Sequence, residues 1–261
     1  MDRSYQLQRG FTLMELIMVI VIAGILGTMT VSFITKPMEA YIDLNRRAEL
    51  VDHAEMSMRM MARDIRAALP NSIKVDSNGI MVIPTVAGGR YTIDGPQALD
   101  FGKEIESFGF EGHLDVPTSA ARVAIYNLGV SGADAHEGTG SPHVLGPVAT
   151  VNPTGLRIEL SNEHQFPFSS PRQRFYLVDP QVKRYCCANN SLYLQRHNIA
   201  TTPHACGGSG DVRVSRHISS CDFQYDSGTA TRSGLVTIQL SLSSEGETIS
   251  LLHQVHVDNV P

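Results

Sequence analysis

The residues able to do chemistry fall into three groups. Four cysteines lie late in the chain, ten histidines are scattered from residue 53 onward, and one carboxylate, Glu15, sits inside an apolar run. Cys186 and Cys187 are adjacent. A bond between neighbours closes a small strained ring, so each is expected to pair with Cys206 or Cys221. Four cysteines allow three connectivities, and the sequence does not choose among them. Cys187–Cys221 with Cys186–Cys206 is the pairing expected here, and such closures add a few kcal/mol to an exported domain. The competing chemistry is zinc held by Cys186, Cys187, His204 and Cys206, but adjacent cysteines do not have the usual zinc-ligand spacing. His253 and His256, three apart, face opposite sides of a strand and make a poor metal pair. Asp179, Asp211, Asp222 and Asp226 could hold calcium only without any EF-hand pattern. No metal is therefore expected. Residues 88–90 and 207–211 hold glycines but no phosphate-loop pattern, and read as ordinary turns. No nucleophile elbow or other catalytic signature gathers Ser, His and Asp, so neither enzymatic activity nor a cofactor is expected.

Glu15 carries more information. The chain opens MDRSYQLQRG, polar and basic through Arg3 and Arg9, then turns apolar as FTLMELIMVIVIAGILG. Residues 16–35 contain no charge. Twenty such residues make a helix about 30 Å long, the thickness of a bilayer core. Basic residues before the span keep that end cytoplasmic. An ordinary secretory signal ends its apolar stretch sooner, at a small-residue cleavage site. The bland alternative is an uncleaved anchor. A carboxylate within such a segment costs a few kcal/mol and so wants a partner or a role. Cleavage after Gly10 would make Phe11 the N-terminus and place its amine one helical turn before Glu15. The helix N-terminus also favours a negative charge there. The same carboxylate could instead meet the amine of a neighbouring subunit.

Gly10-Phe11-Thr12-Leu13-Met14-Glu15 before an apolar run resembles the prepilin peptidase site of type IV pilins and type II secretion pseudopilins. The resemblance implies that Gly10 precedes the cut, that Phe11 is N-methylated, and that Glu15 serves subunit docking and assembly. Arg63-Asp64-Ile65-Arg66 and the ending Leu252-His253-Gln254-Val255-His256-Val257 are similar to the J-type minor pseudopilins. Within that group they most resemble minor pilins of the mannose-sensitive haemagglutinin (MSHA) type. The resemblance covers residues 10–72 well, 215–261 moderately and the middle poorly. Its implied partners are other minor and major pilin subunits, the prepilin peptidase, the inner-membrane assembly platform and the membrane itself. The implied location is the inner membrane, with the C-terminal part in the periplasm, and then the pilus at the cell surface. The alternatives are a J-type pseudopilin of a secretion system and, from another class, a membrane-tethered exported enzyme or ligand-binding domain.

The elements positioning these residues follow from periodicity. Residues 1–10 are expected as leader, 11–35 as a transmembrane or filament-core helix, 36–69 as its amphipathic continuation and 70–261 as a β-rich head. Tyr41, Leu44, Ala48, Val51, Ala54, Met58, Met61 and Ile65 recur every three or four residues, as a packed helical stripe requires. Pro70 should end the helix at residue 69. Gly24, Gly27 and Pro37 are its weak points. Beyond it, strands are expected over residues 80–83, 122–128, 155–160, 174–178, 191–196 and 212–218. Alternation from Val236 to Leu242, a turn at residues 243–247 and a return over 248–257 predict a closing hairpin. Residues 131–153, dense in Gly, Pro, Ala and His, read as a long loop. The fold class is α+β, a long N-terminal helix on mainly antiparallel sheet. A net charge of −5 without a block of like charges gives no footing for nucleic acid.

Overall fold

The computed structural model describes residues 10–114, 120–138, 140–228 and 233–260. Apart from Gly10, the expected leader lies outside the described residues. The chain divides into two compact units, residues 1–49 and 50–261. One helix, α1 (Leu13–Arg66), contributes to both.

In the first unit α1 is the one helix or strand among the described residues. Its large apolar side chains, from Leu13 to Leu44, are exposed around the whole circumference. Two hydroxyls in this apolar stretch are satisfied within the helix. Thr28 Oγ1 donates to Ile25 O at 2.9 Å and Thr30 Oγ1 to Leu26 O at 2.8 Å. A helix that closes its own polar groups can leave water without an orphan donor. Pro37 lies inside α1, which continues through it. The packed stripe expected from Tyr41 onward begins only at Leu50, since Tyr41 and Leu44 are exposed.

In the second unit the end of α1 is followed by fourteen strands among the described residues. Leu50, Ala54, Met58, Met61, Ala62 and Ile65 are buried along one face. Strands β1 (Lys74–Asp76), β2 (Gly79–Val82), β9 (Gln181–Ala188), β10 (Ser191–Asn198) and β11 (Val212–Arg216) form one sheet in the order β1-β2-β9-β10-β11. Strands β12 (Ile218–Asp226), β13 (Gly234–Ser244) and β14 (Glu247–Val257) form another. Both sheets share one core with the helix, from Ile80, Val82 and Tyr185 to Phe223, Ile238 and Val255. The described strand pairs in both are antiparallel. The fold is therefore α+β, an apolar N-terminal helix packed on antiparallel sheet.

The helix ends at Arg66, three residues before the expected stop. The chain peels away because Leu69 N finds Ile83 O at 2.8 Å and Thr85 N finds Ala67 O at 2.8 Å. Those bonds tie the helix end to the start of the next element, where a further helical turn would have no partner.

Between β2 and β9 the chain forms a closed six-stranded barrel. Its strands are β3 (Thr85–Tyr91), β4 (Ile105–Glu111), β5 (Ala121–Ala124), β6 (Leu145–Asn152), β7 (Arg157–His164) and β8 (Arg174–Val178), in the order β3-β4-β7-β6-β5-β8. Phe108, Phe110, Phe166 and Phe175 fill its interior, with edge-on ring contacts at 5.5–6.4 Å. The outer-wall residues Ala124, Leu145 and Val178 join Leu69, Ile83 and Val182 in a third cluster, which seats the barrel.

The barrel corrects several expectations. The loop expected over residues 131–153 contains β6, with Pro147 beside a bulge in its pairing with β5, a position where a strand tolerates proline. The turn expected at residues 88–90 lies inside β3. A Cβ at Gly89 would stand 2.9 Å from the Phe175 ring, so the glycine marks close packing and not a turn. The strand expected over 122–128 stops at Ala124. The strand expected over 212–218 is divided at His217, whose φ of 62° turns the chain from one sheet into the other.

Gly79 is fixed by similar crowding. It pairs with Cys186 across β2 and β9. A Cβ there would overlap the Tyr185 carbonyl oxygen and meet Cys186 Cβ at 3.0 Å. Both obstacles belong to the central strand and cannot rotate away. Gly79→Ala is expected to destabilise the head by about 1–3 kcal/mol. Denaturant midpoints check this against Gly155→Ala, whose Cβ would meet nothing closer than 3.4 Å. Equal midpoints for the two variants would contradict it.

Candidate functional site

The site at the N-terminus is built on the first turn of α1. Gly10 and Phe11 precede the helix, and Phe11 is 83% exposed. Thr12 is the N-cap. Its carbonyl accepts from Glu15 N at 3.1 Å and Leu16 N at 3.2 Å, and its Oγ1 accepts from Glu15 N at 3.3 Å. Glu15 is thereby the third residue of the helix. Thr-x-x-Glu is the capping-box spacing, in which the threonine satisfies the donor that the helix itself leaves open. Reading Glu15 only as a charge in an apolar run overlooked Thr12, although the four-residue pattern was visible.

The arrangement combines an exposed, uncapped Gly-Phe segment with a carboxylate on the first turn. It then continues as a helix long and apolar enough, by length and composition, to cross a membrane. The Gly10–Phe11 bond lies in this exposed segment, and the apolar surface behind it is uncovered as far as Leu44. The carboxylate sits at the helix end where backbone N–H groups favour negative charge.

Residues 6–31 match the family model described as the prokaryotic N-terminal methylation motif. The match supports the type IV pilin and pseudopilin family. It points to a structural pilin rather than an enzyme, and with the apolar helix it fits a membrane-anchored pilin. Such a motif implies pilus subunits and prepilin peptidase processing in general. No curated protein and no solved structure matches the chain.

The remaining candidate residues lie on the second unit. Cys186 is bonded to Cys206 and Cys187 to Cys221. Neighbours on a strand point to opposite faces, so β9 sends one cysteine to each side. Cys187 faces the helix core and reaches Cys221 on β12, which joins the two sheets. Cys186 faces away and holds the loop before β11. With both pairs oxidised, no thiolate remains for the zinc set considered above. His204 Nε2 lies 3.0 Å from Asp211 Oδ1. Asp211 also accepts from the backbone of Gly207 at 2.9 Å and Gly208 at 3.1 Å, so it organises the disulfide-bearing loop. Asp179 and Asp226 accept local backbone N–H groups, and Asp222 accepts from Gln224. Among the described residues no group of three or more His, Cys, Asp or Glu is placed to hold a metal ion. His253 is half-buried on the inner face of β14 and His256 is exposed on the outer.

A further carboxylate anchors the end of α1. Asp64 Oδ2, at the end of α1, accepts from Tyr185 Oη at 2.7 Å and Lys183 Nζ at 3.0 Å. Burial, then the hydrogen bond to Asp64, pushes the Tyr185 phenol well above its ordinary pKa, so it remains a donor. This cluster fixes the last turn of the helix on β9. Its only sequence trace is an acidic residue within an otherwise basic Arg63–Arg66 turn.

Proposed function

We propose that the chain is a minor pilin of an MSHA-type type IV pilus, processed by prepilin peptidase and assembled at or near the filament tip. The observation that carries this reading is the exposed Gly10-Phe11 segment leading into a capped helix whose large apolar side chains are exposed from Leu13 to Leu44. In this reading Gly10 precedes the cut, Phe11 receives the methyl group, and Glu15 docks the subunit. The chain is inserted in the inner membrane with residues 70–261 in the periplasm, and later joins the pilus at the cell surface. Its partners are the peptidase, the assembly platform, and the other minor and major pilins. The inserted barrel supports a terminal position, because a bulky head restricts regular helical packing of successive subunits. The role is structural and helps initiate assembly.

N-terminal mass spectrometry of protein from cells with and without prepilin peptidase tests the reading. Loss of residues 1–10 and a methylated Phe11 are expected only when the peptidase is present. An intact Met1 in peptidase-containing cells would refute it. Deleting the gene is expected to reduce piliation and leave enzyme export intact. The reverse outcome would assign the chain to a secretion system.

A further inference from the structure

The outer wall of the barrel carries an arginine that the fold leaves half used. On β5, Ala121 and Val123 belong to the barrel core, which turns Arg122 outward, half-buried. Its Nε donates to Gly146 O at 2.8 Å, which fixes the plane of the guanidinium. The Gly146 position is itself constrained, since a Cβ there would stand 2.9 Å from the Phe166 ring and 3.4 Å from His164. Among the described residues no carboxylate pairs with Arg122. Arg184 shows the contrast, being buried and held by Asp76 at 2.8 Å. Burial lowers the pKa of Arg122 from its ordinary value.

This guanidinium lines a cavity of about 340 Å³, within the range of small-ligand pockets. Leu145 and Pro147 give it an apolar wall, and Ser141, Asn162 and Glu163 add polar groups. Ser141 Oγ accepts from Gln165 N at 2.9 Å, leaving its own O–H to donate. Asn162 and Glu163 are exposed at the rim. His164, buried beside them, donates from Nε2 to His143 O at 2.8 Å. Burial holds its pKa below the ordinary value, so Arg122 is the fixed cation of the pocket.

We propose that this cavity binds a small hydroxylated carboxylate of the sugar-acid class. The free edge of Arg122 grips the carboxylate through paired N–H donors, the geometry guanidinium matches best. Ser141, Asn162 and Glu163 take the hydroxyls, and Leu145 and Pro147 receive the C–H face. Glu163 accepts from hydroxyls and disfavours a second anion at the rim.

Full-length protein in detergent micelles, titrated calorimetrically with glucuronate, glucose, acetate and inorganic phosphate, tests this. Saturable glucuronate binding is expected, with glucose and acetate each at least tenfold weaker. Arg122→Gln should weaken glucuronate at least tenfold with an unchanged unfolding midpoint. The rim variant Asn162→Ala, which gives up only an exposed hydrogen bond to Ser161 at 3.4 Å, should weaken glucuronate severalfold and leave acetate unaffected. If Arg122→Gln does not fold, Asn162→Ala decides alone. The proposal is overturned by absent glucuronate binding, by phosphate binding as tightly as glucuronate, or by glucuronate affinity that the decisive variant leaves unchanged.

Discussion

Glu15→Ala is expected to leave membrane insertion intact while reducing incorporation into filaments by at least roughly tenfold. A charge in apolar surroundings is held there by what it pairs with, and tenfold corresponds to only about 1.4 kcal/mol. Losing one such pair in an assembly step is enough to exceed it. Two roles are open to this carboxylate, because Glu15 is also the third residue of a helix capped by Thr12. Glu15→Gln separates them. Glutamine can serve a capping box as glutamate does, but it carries no charge to balance an amine. If charge pairing is the role, the glutamine variant fails like the alanine variant. If capping is the role, glutamine restores incorporation. Quantifying the subunit in sheared pili and in membranes reads both outcomes. Wild-type incorporation of Glu15→Ala would remove the docking role.

The second large effect is expected at the bond between the sheets. Removing Cys187–Cys221 by paired serine substitution should destabilise the head by roughly 3–4 kcal/mol, the loop-closure value for cysteines 34 residues apart. The bond joins β9, in the five-stranded sheet, to β12, in the three-stranded sheet, beside their common core with α1. Its loss returns conformational freedom to the unfolded chain, which the closed loop restricts. Removing Cys186–Cys206 should act differently, because that bond holds a loop that Asp211 also organises. Denaturation midpoints of the two paired variants, with limited proteolysis of residues 199–211, distinguish the cases. Proteolysis should open that loop only in the Cys186/Cys206 variant. An unchanged midpoint for the Cys187/Cys221 variant would contradict the account.

Much of this architecture could be read in advance where local pattern and environment coincide. The closing hairpin alternates because one face of β13 meets the core and the other does not, and Val236, Ile238, Leu240 and Leu242 are all buried. The strand over Arg174–Val178 was legible as a short apolar run between turn residues. Strand β9 was not. Its sequence, Gln181–Ala188, serves the helix core on one side and a polar network on the other. Arg184 meets Asp76 and Gln195 on that second face, so polar residues occur at buried positions and alternation is lost. The barrel was hidden for a related reason. Gly89 and Gly146 lie under Phe175 and Phe166, and a glycine required by a ring from a distant strand looks, locally, like a glycine required by a turn.

The amino-acid sequence by itself determined the N-terminal element. The uncharged run over residues 16–35, its length and the Gly-Phe-x-x-x-Glu spacing before it are all local properties of the chain, so they are sufficient to define it. The tertiary structure alone decided the head: which cysteines meet, where the helix ends, that β3 to β8 close into a barrel, and that Arg122 pairs with no carboxylate among the described residues. Each depends on contacts between residues far apart in the chain. Such contacts are chosen by packing volume and hydrogen-bond closure, which no local window of sequence contains.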